Sequence, residues 1–572
     1  MSSSSAPDPH APDAAAPLVI QQIVGHGDVA PERVALIHPV GDAGWGRLTY
    51  GALATRVRHV AAGLARRGVV RGARVVVLVP MSPELYVVLL AVASLGAVAV
   101  FVEPAATPRE MARAIRVTHP VAFIGVPKAH VLRLMFPRDT ATGVSIVVGG
   151  GVTARLLGAE PLAAVEADGA ATTAPIFPEL AGTDPALLTF SSGSTGTPKG
   201  AVRSHAFLGA QHDAMAGLLD AAGRTDGTPD VHMSAFAIVL LSTLVSGHTA
   251  VIPRLGRGVD DIDGAALARA IRDLGVTVIS GSPAFLAPIF DAADRGPRPG
   301  PLAGVRRIIS GGAPVPVELC EQAGRLLDPS ATFLVVYGST EAEPISRIDA
   351  AEVRARTAAA TRAGAGLCVG APDPHVTVRL IQPRPGAPIV IGPGGMAALD
   401  VAPGEVGEVT VAGDHVNKRY FRDHAAERAT KIVDDTGEIW HRTGDAAYRD
   451  REGRLWLVGR IGDVVRRGDA VYHPSAVEAA ARTLPWVARA ALVPDAGGAL
   501  LVVEPTTWGV RERAGADGGR TDEVIRHLAS RGVTIDRVAM TRKLPVDPRH
   551  RAKIDYPAVR RQWAATGKES RP

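Results

Sequence analysis

Between residues 191 and 197, five hydroxyl side chains surround Gly193 and Gly196, and Pro198 and Lys199 follow. The full stretch is Leu188-Thr-Phe-Ser-Ser-Gly-Ser-Thr-Gly-Thr-Pro-Lys-Gly200, and an apolar run precedes it. Such a loop can turn backbone N–H groups and hydroxyls toward an anion, with the lysine as a point charge. It is no Walker loop, because that motif needs Ser or Thr after the lysine and here Gly200 stands there. A flexible Ser/Gly linker is the bland alternative, but linkers rarely embed Pro-Lys-Gly directly after a buried strand.

Four more blocks have the right residue types for nucleotide chemistry. Ser310-Gly-Gly-Ala-Pro314 would let a flat ligand approach the backbone, or would be a simple turn. Tyr337-Gly-Ser-Thr-Glu341 puts an acid and a hydroxyl at a strand's end, which suits phosphate and Mg²⁺; a helix start with Ser339 or Thr340 as cap is the alternative. His441-Arg-Thr-Gly-Asp445 offers a carboxylate for a ribose diol, or a Gly-Asp turn. Leu544-Pro-Val-Asp-Pro-Arg-His-Arg-Ala-Lys553-Ile554 carries a lone lysine in a basic stretch between apolar residues, where an ordinary solvated tail is the alternative.

The elements that must position these blocks read as follows. Apolar runs at Arg74–Val79, Val121–Val126, Val144–Val148, Leu187–Phe190, Val276–Ile279, Ile308–Ile309 and Phe333–Val336 alternate with helical stretches such as Tyr50–Gly68 and Gly264–Leu274. That alternation argues for parallel α/β layers. Beyond about Gly370, Val376–Leu380 and Glu405–Val411 alternate apolar and polar residues between Gly and Pro, the pattern of a smaller twisted antiparallel or barrel-like unit. Arg460–Gly468 is a basic connector, Pro474–Thr483 a helix, Ala490–Val493 and Leu500–Val503 strands, and Trp508–Arg520 a loop. The expected division is a disordered lead-in over 1–17, a large domain over 18–460, a small α+β lid over 461–563 and a disordered tail over 564–572. No internal repeat is visible.

Composition bounds the remaining readings. The chain has 572 residues, 47% hydrophobic and 21% charged, enough for a sizeable core. A net charge of +5 is small over this length, and with only 4% aromatics it speaks against a nucleic-acid binder. Two cysteines, Cys320 and Cys368, form no disulfide framework, so a reducing cytoplasm is expected. The first residues lack the basic and apolar regions of a signal peptide. Leu85–Val102 runs 18 residues without a charge, near the length of a membrane span. Ser82-Pro83-Glu84 before it and Gly96 within it favour a buried helix followed by a buried strand.

In this order and at these separations the five blocks resemble the adenylate-forming superfamily, which includes acyl-CoA synthetases, peptide-synthetase adenylation domains and luciferases. Gly72-Ala-Arg-Val-Val-Val-Leu-Val-Pro-Met-Ser-Pro-Glu84 is similar to a further block of that family, so the resemblance spans residues 20 to 563. It implies a large domain of two parallel-rich αβαβα layers with a barrel-like subdomain, then a mobile lid. It also implies ATP and Mg²⁺, a carboxylic acid substrate, and CoA or a carrier-protein pantetheine as acceptor. Ser191, Ser192, Gly193, Ser194, Thr195, Gly196 and Lys199 would cover the β- and γ-phosphates. Gly311, Gly312, Ala313 and Pro314 would flank the adenine beside Tyr337. Thr340 would touch the α-phosphate and Glu341 hold the metal. Asp445 would bind the ribose, with Arg460 assisting. Lys553 would bridge the acid and the α-phosphate. His232, Ser234, Ala235, Phe236, Ser280–Pro283 and Ser310 would wall the acid pocket.

Two departures bear on the second step. Gly459-Arg460-Ile461-Gly462 has glycine where the family's hinge has Asp or Lys, and Arg467–Pro474 lacks the usual basic residue after its glycine. The Pro545–Ile554 tail resembles that of the β-lactone synthetases of olefin biosynthesis. There a β-hydroxy acid closes on its own activated carboxyl; His550 would be a proton carrier in that version, or a surface histidine. A degenerate fold that binds nucleotide without reacting is the other alternative. The acid's identity and the oligomeric state stay open.

Overall fold

The computed structural model describes residues 18–102, 106–172, 177–192, 198–220, 227–256, 262–296, 300, 302–495, 498–506, 518–546 and 554–564. The expected lead-in, 1–17, lies outside them, and of the expected tail only Ala564 is inside.

The first sheet has seven strands. Arg74–Leu78 pairs in parallel with Val98–Val102 and with Ala122–Gly125, and Val98–Val102 pairs with Pro185–Ser192. Among the described residues, only the last strand of this sheet, Pro198–Ser204, runs antiparallel to its neighbour. Strands buried on both faces need continuous apolar runs, which is why Val-Val-Val and Val-Ala-Val recur. The uncharged run resolves into helix Pro83–Ser94, strand Val98–Val102 and a turn between them. Ser82 caps that helix by accepting the Leu85 N–H, and Pro83 occupies its first turn. Among the described residues no helix is long and apolar enough to cross a membrane.

The second sheet has fourteen strands. Its parallel part contains Thr249–Val251, Val231–Ser234, Val278–Gly281, Arg307–Ser310 and Thr332–Ser339. Strand Ala342–Asp349 folds back on Thr332–Ser339, and antiparallel strands continue through Leu367–Pro372, Leu455–Arg460, Ile439–Arg449, Gly407–Ala412 and Thr377–Ile381. The antiparallel unit after Gly370 is therefore hydrogen-bonded onto the parallel layer. The join needs glycine at Gly370, where φ is +79° and a Cβ would lie 2.0 Å from the Arg347 carbonyl oxygen. One core cluster ties the two sheets together, with Leu85–Ala93 packed among Leu240, Leu241 and Leu244 of helix Ala237–Val245.

From Val465 onward the strands form sheets of their own: the hairpin Val465–Arg467 with Ala470–Tyr472, and a three-stranded sheet of Val487–Asp495, Gly498–Pro505 and Arg537–Met540. Helices Pro474–Ala481 and Gly518–Ala529 cover that sheet around Val477, Val524 and Leu528. The expected loop Trp508–Arg520 is corrected at its end, since Gly518–Arg520 already belong to the second helix; 507–517 lie outside the described residues. The strand expected from Val276 starts at Val278. Val276 is held back because its N–H closes the preceding helix on the Ile271 carbonyl 2.9 Å away.

Candidate active site

Three of the blocks begin at the carboxyl ends of strands Pro185–Ser192, Arg307–Ser310 and Thr332–Ser339, where α/β sheets place their ligand crevice; the Asp445 block lies on an antiparallel strand. Strands Pro185–Ser192 and Pro198–Ser204 form a hairpin in which Ser191 faces Lys199 and Ser192 faces Pro198. The connecting Gly193, Ser194, Thr195 and Gly196 lie outside the described residues. Lys199 is half-buried, with its ammonium 5.9 Å from the centre of the Tyr420 ring. Tyr420 is fastened to the hairpin by a bridge to Ala201, while the Phe421 N–H donates to the Gly200 carbonyl at 2.8 Å. The Tyr420 hydroxyl donates to Glu341 Oε1 at 3.1 Å. The phosphate hairpin and the Glu341 turn thus share one tyrosine that the sequence reading did not single out.

Thr340 and Glu341 are the two turn residues of the hairpin between Thr332–Ser339 and Ala342–Asp349, since Ser339 pairs with Ala342. The helix-start alternative for this block is corrected. A register shift between Tyr337 and Ser339 accommodates the turn. Two contacts pin it from below: the Asn417 N–H donates to the Glu341 carbonyl at 2.6 Å, and Arg203 Nη2 donates to the Thr340 carbonyl at 2.7 Å. Arg203 is 5% exposed, and its Nε has no partner among the described residues. Burial pulls the pKa of this guanidinium down, and the Glu343 and Glu341 carboxylates oppose that.

Beneath Glu341 lies a buried base pair of groups that sequence reasoning missed. Lys431 Nζ donates to the Asn417 carbonyl and to His441 Nδ1, the latter at 3.1 Å, and sits 5.0 Å from the Tyr420 ring centre. Burial lowers the Lys431 pKa to about 7. Burial, then the neighbouring Lys431 charge, holds His441 well below its usual range, so the ring is neutral and its Nδ1 can accept. His441 belongs to the His441–Asp445 motif, whereas Lys431 carries no local signal.

The ribose block is assembled by strand pairing. Asp445 lies opposite Arg460 on adjacent strands. Asp445 Oδ1 accepts Arg460 Nε at 2.8 Å, and Oδ2 accepts the Tyr337 hydroxyl at 2.7 Å. The Asp445 carboxylate raises the Arg460 pKa, with burial opposing; burial and the same carboxylate raise that of Tyr337. Gly311 passes so near the strand carrying Tyr337 that a Cβ would lie 2.7 Å from the Val336 carbonyl oxygen. Gly312 and Pro314 beside it are exposed, with Ala313 half-buried.

A cavity of about 30 Å³ lies under these blocks, lined mainly by apolar side chains, among them Met215, Leu218, Phe236 and Val239, with Ser280 and Glu343 as its polar side chains. That is room for about one water. Of the expected wall residues, Phe236 and Ser280 line it. His232 stands behind Ser280: its Nε2 is 2.9 Å from Ser280 Oγ and its Nδ1 2.8 Å from Thr243 Oγ1. Burial lowers the His232 pKa to about 3, so it is a neutral spacer. Burial raises the Glu343 pKa, against the pull of Arg203.

Lys553 and His550 lie outside the described residues. Their flanks are fixed: Val546 bridges Ile554, and the Tyr556 hydroxyl donates to buried Glu478 at 2.8 Å. Burial pushes the Glu478 carboxyl up to about 7. Arg560 pairs with Asp463, next to Gly462 in the turn Ile461–Asp463 that follows Arg460.

The sequence pattern of the AMP-binding enzyme family matches residues 26–421. The chain belongs to that family. It is accordingly an adenylate-forming ligase, which uses ATP to activate a carboxylic acid. An olefin β-lactone synthetase of Stenotrophomonas maltophilia (strain K279a) is 35% identical over 537 residues, covering 92% of each chain. A feruloyl-CoA synthase of an Amycolatopsis species is 30% identical over 541 residues, covering 90% of this chain and 94% of its own. Among solved structures, the amide bond synthetase McbA of Marinactinospora thermotolerans superposes with a TM-score of 0.73 over 95% of this chain and 99% of its own, at 23% identity. At that identity it attests the fold alone.

Proposed function

We propose that this family member adenylates a β-hydroxy fatty acid and then closes it to a β-lactone. The observation that carries this reading is the 35% identity, over 92% of both chains, to an enzyme named olefin β-lactone synthetase. The tail around Lys553 supports the lactone branch.

The residues divide the work as follows. The carboxylate oxygen of the acid attacks the α-phosphorus of ATP, and pyrophosphate leaves. Both reactants are anions, so the barrier is largely repulsion and misorientation. Lys199 and the loop residues Ser191–Gly196 take the departing phosphates, and Thr340 with Lys553 meets the α-phosphate. Asp445, Arg460 and Tyr337 hold the ribose, and the Gly311–Pro314 turn flanks the adenine. Among the described residues no group of three or more His, Cys, Asp or Glu could hold a metal. The single Glu341 carboxylate nevertheless fits Mg²⁺, which commonly takes one or two carboxylates plus substrate phosphates. Bound there it would neutralise phosphate charge. In the second step the β-hydroxyl oxygen bonds to the acyl carbon, the bond from that carbon to the phosphate oxygen breaks, and AMP leaves with the hydroxyl proton. No thiol enters. The two cysteines are free and buried, which supports a reducing cytoplasm as the setting.

The 30% identity to a feruloyl-CoA synthase favours thioester formation as the second reading. One experiment separates the two: ATP with fatty, β-hydroxy fatty, amino and aryl acids, with and without CoA. AMP release that needs a β-hydroxyl and no CoA is the expected result. Release only with CoA selects the thioester ligase, and none under any condition removes both.

A further inference from the structure

Glu343 presents a problem of physical chemistry. Its half-buried side chain lines a cavity that is otherwise mostly apolar, and burial raises the pKa of its carboxyl. Leaving a carboxylate so placed is costly, and a purely aliphatic pocket would do better with an apolar residue there. Arg203 is the neighbouring countercharge, but its Nη2 is committed to the Thr340 carbonyl. Ser280 lines the same cavity, and its hydroxyl is oriented by His232 at 2.9 Å and Ser234 at 2.7 Å. Gln211 is a buried polar residue one turn before Met215. It is 1% exposed, both its amide atoms lack partners among the described residues, and it lies on the helix face of Met215 and Leu218 by i, i+4, i+7 spacing.

Position along the chain fixes which part of the acid this corner would meet. Glu343 is the second residue of the strand Ala342–Asp349 and lies two residues past Glu341 of the turn, so their Cα atoms are at most about 7 Å apart. With the turn Thr340–Glu341 at the phosphates, Glu343 falls at the carboxyl end of the acid and not at the far end of its chain. We propose that Glu343, with Ser280, forms a hydroxyl-recognising subsite that accepts a hydrogen bond from a hydroxyl close to the substrate carboxyl, and so selects hydroxylated acids for adenylation. This rests on the adenylation reading and adds the residues that would read the β-hydroxyl. It is independent of whether a lactone or a thioester forms afterwards.

The test is the specificity ratio of the full-length enzyme. Pyrophosphate release is measured as kcat/KM for a 3-hydroxy fatty acid and for the unsubstituted acid of equal length. The wild type is expected to prefer the hydroxy acid by at least about 10-fold, the worth of one hydrogen bond to a charged group. Glu343→Leu is expected to bring the ratio to near one, with Glu343→Gln intermediate and Ser280→Ala lowering it several-fold. A packing or folding defect depresses both substrates together and leaves the ratio alone. Should Glu343→Leu fail to fold, Glu343→Gln and Ser280→Ala decide the matter. A wild-type ratio near one, or one that survives these substitutions, overturns the subsite while the adenylation reading stands. No pyrophosphate from any acid with the wild type overturns both.

Discussion

Replacing Asp445 by asparagine tests the nucleotide-holding part of the site. The carboxylate now accepts Arg460 Nε on one oxygen at 2.8 Å and the Tyr337 hydroxyl on the other at 2.7 Å. Asparagine has the same shape, but one oxygen becomes an NH₂ that cannot accept. A ribose diol brings two donors, so one of them loses its acceptor. One hydrogen bond to a charged group is worth about 1.5–3 kcal/mol. At a factor of ten per 1.4 kcal/mol, the ATP Kd should rise about 10- to 150-fold. Arg460 also loses its ion pair, but its side chain is 40% exposed, and water limits that loss to about 1 kcal/mol or less. Calorimetric titration with ATP reads the effect. Titration with 3′-deoxy-ATP isolates the hydroxyl: the wild type should lose affinity with this ligand, and Asp445→Asn should lose little more. An Asn variant that binds ATP like the wild type refutes the assignment. So does a 3′-deoxy penalty of equal size in both proteins.

Other expectations reach further from the ribose. Lys553→Ala should lower acyl-AMP formation about 10²–10³-fold, the usual cost of one charge-stabilising group, with ATP binding retained; near-normal pyrophosphate exchange would contradict this. Arg442→Met should destabilise the protein by about 3–5 kcal/mol in urea, because it strands Glu408 in a pair whose side chains are 3% and 4% exposed; a loss below about 1 kcal/mol would be inconsistent with an intact buried pair. Glu478 has its folded pKa raised from 4.5 to about 7, so the folded state holds a proton that the unfolded state has lost. Its contribution is present below about pH 4.5 and disappears as pH rises through 7. The wild-type Tm should therefore decline more between about pH 5 and 8 than that of Glu478→Gln; parallel curves would exclude this origin.

Local hydropathy was a good guide wherever one short segment decides its own structure. Val98–Val102 is a strand and Ser82 a helix cap because the signals sit within a few residues of each other. The turn at Thr340–Glu341 was ambiguous for a different reason. Hydroxyl and acid side chains suit a helix start as well as a tight turn, and the choice is made by pairing of Tyr337 with Ser346 and Ser339 with Ala342. The residues supporting Glu341 were harder still. Tyr420 is 79 positions away from Glu341, and Arg203 is 137 away from Thr340, so neither leaves a local trace. Lys431 and His441 are near in sequence but meet only because their strands pair. The candidate site residues were readable as motifs; the groups that orient Glu341 and Asp445 are consequences of sheet order.

The bond between Asp445 and Arg460 has a mechanical consequence. Arg460 ends its strand, and Ile461–Asp463 begins the passage to the smaller module, where Asp463 is tethered to Arg560. On the ribose contact proposed for Asp445, a nucleotide competing for its oxygens would loosen the grip on the residue from which that passage departs. Under that proposal, nucleotide occupancy would be felt at the point where the smaller module begins.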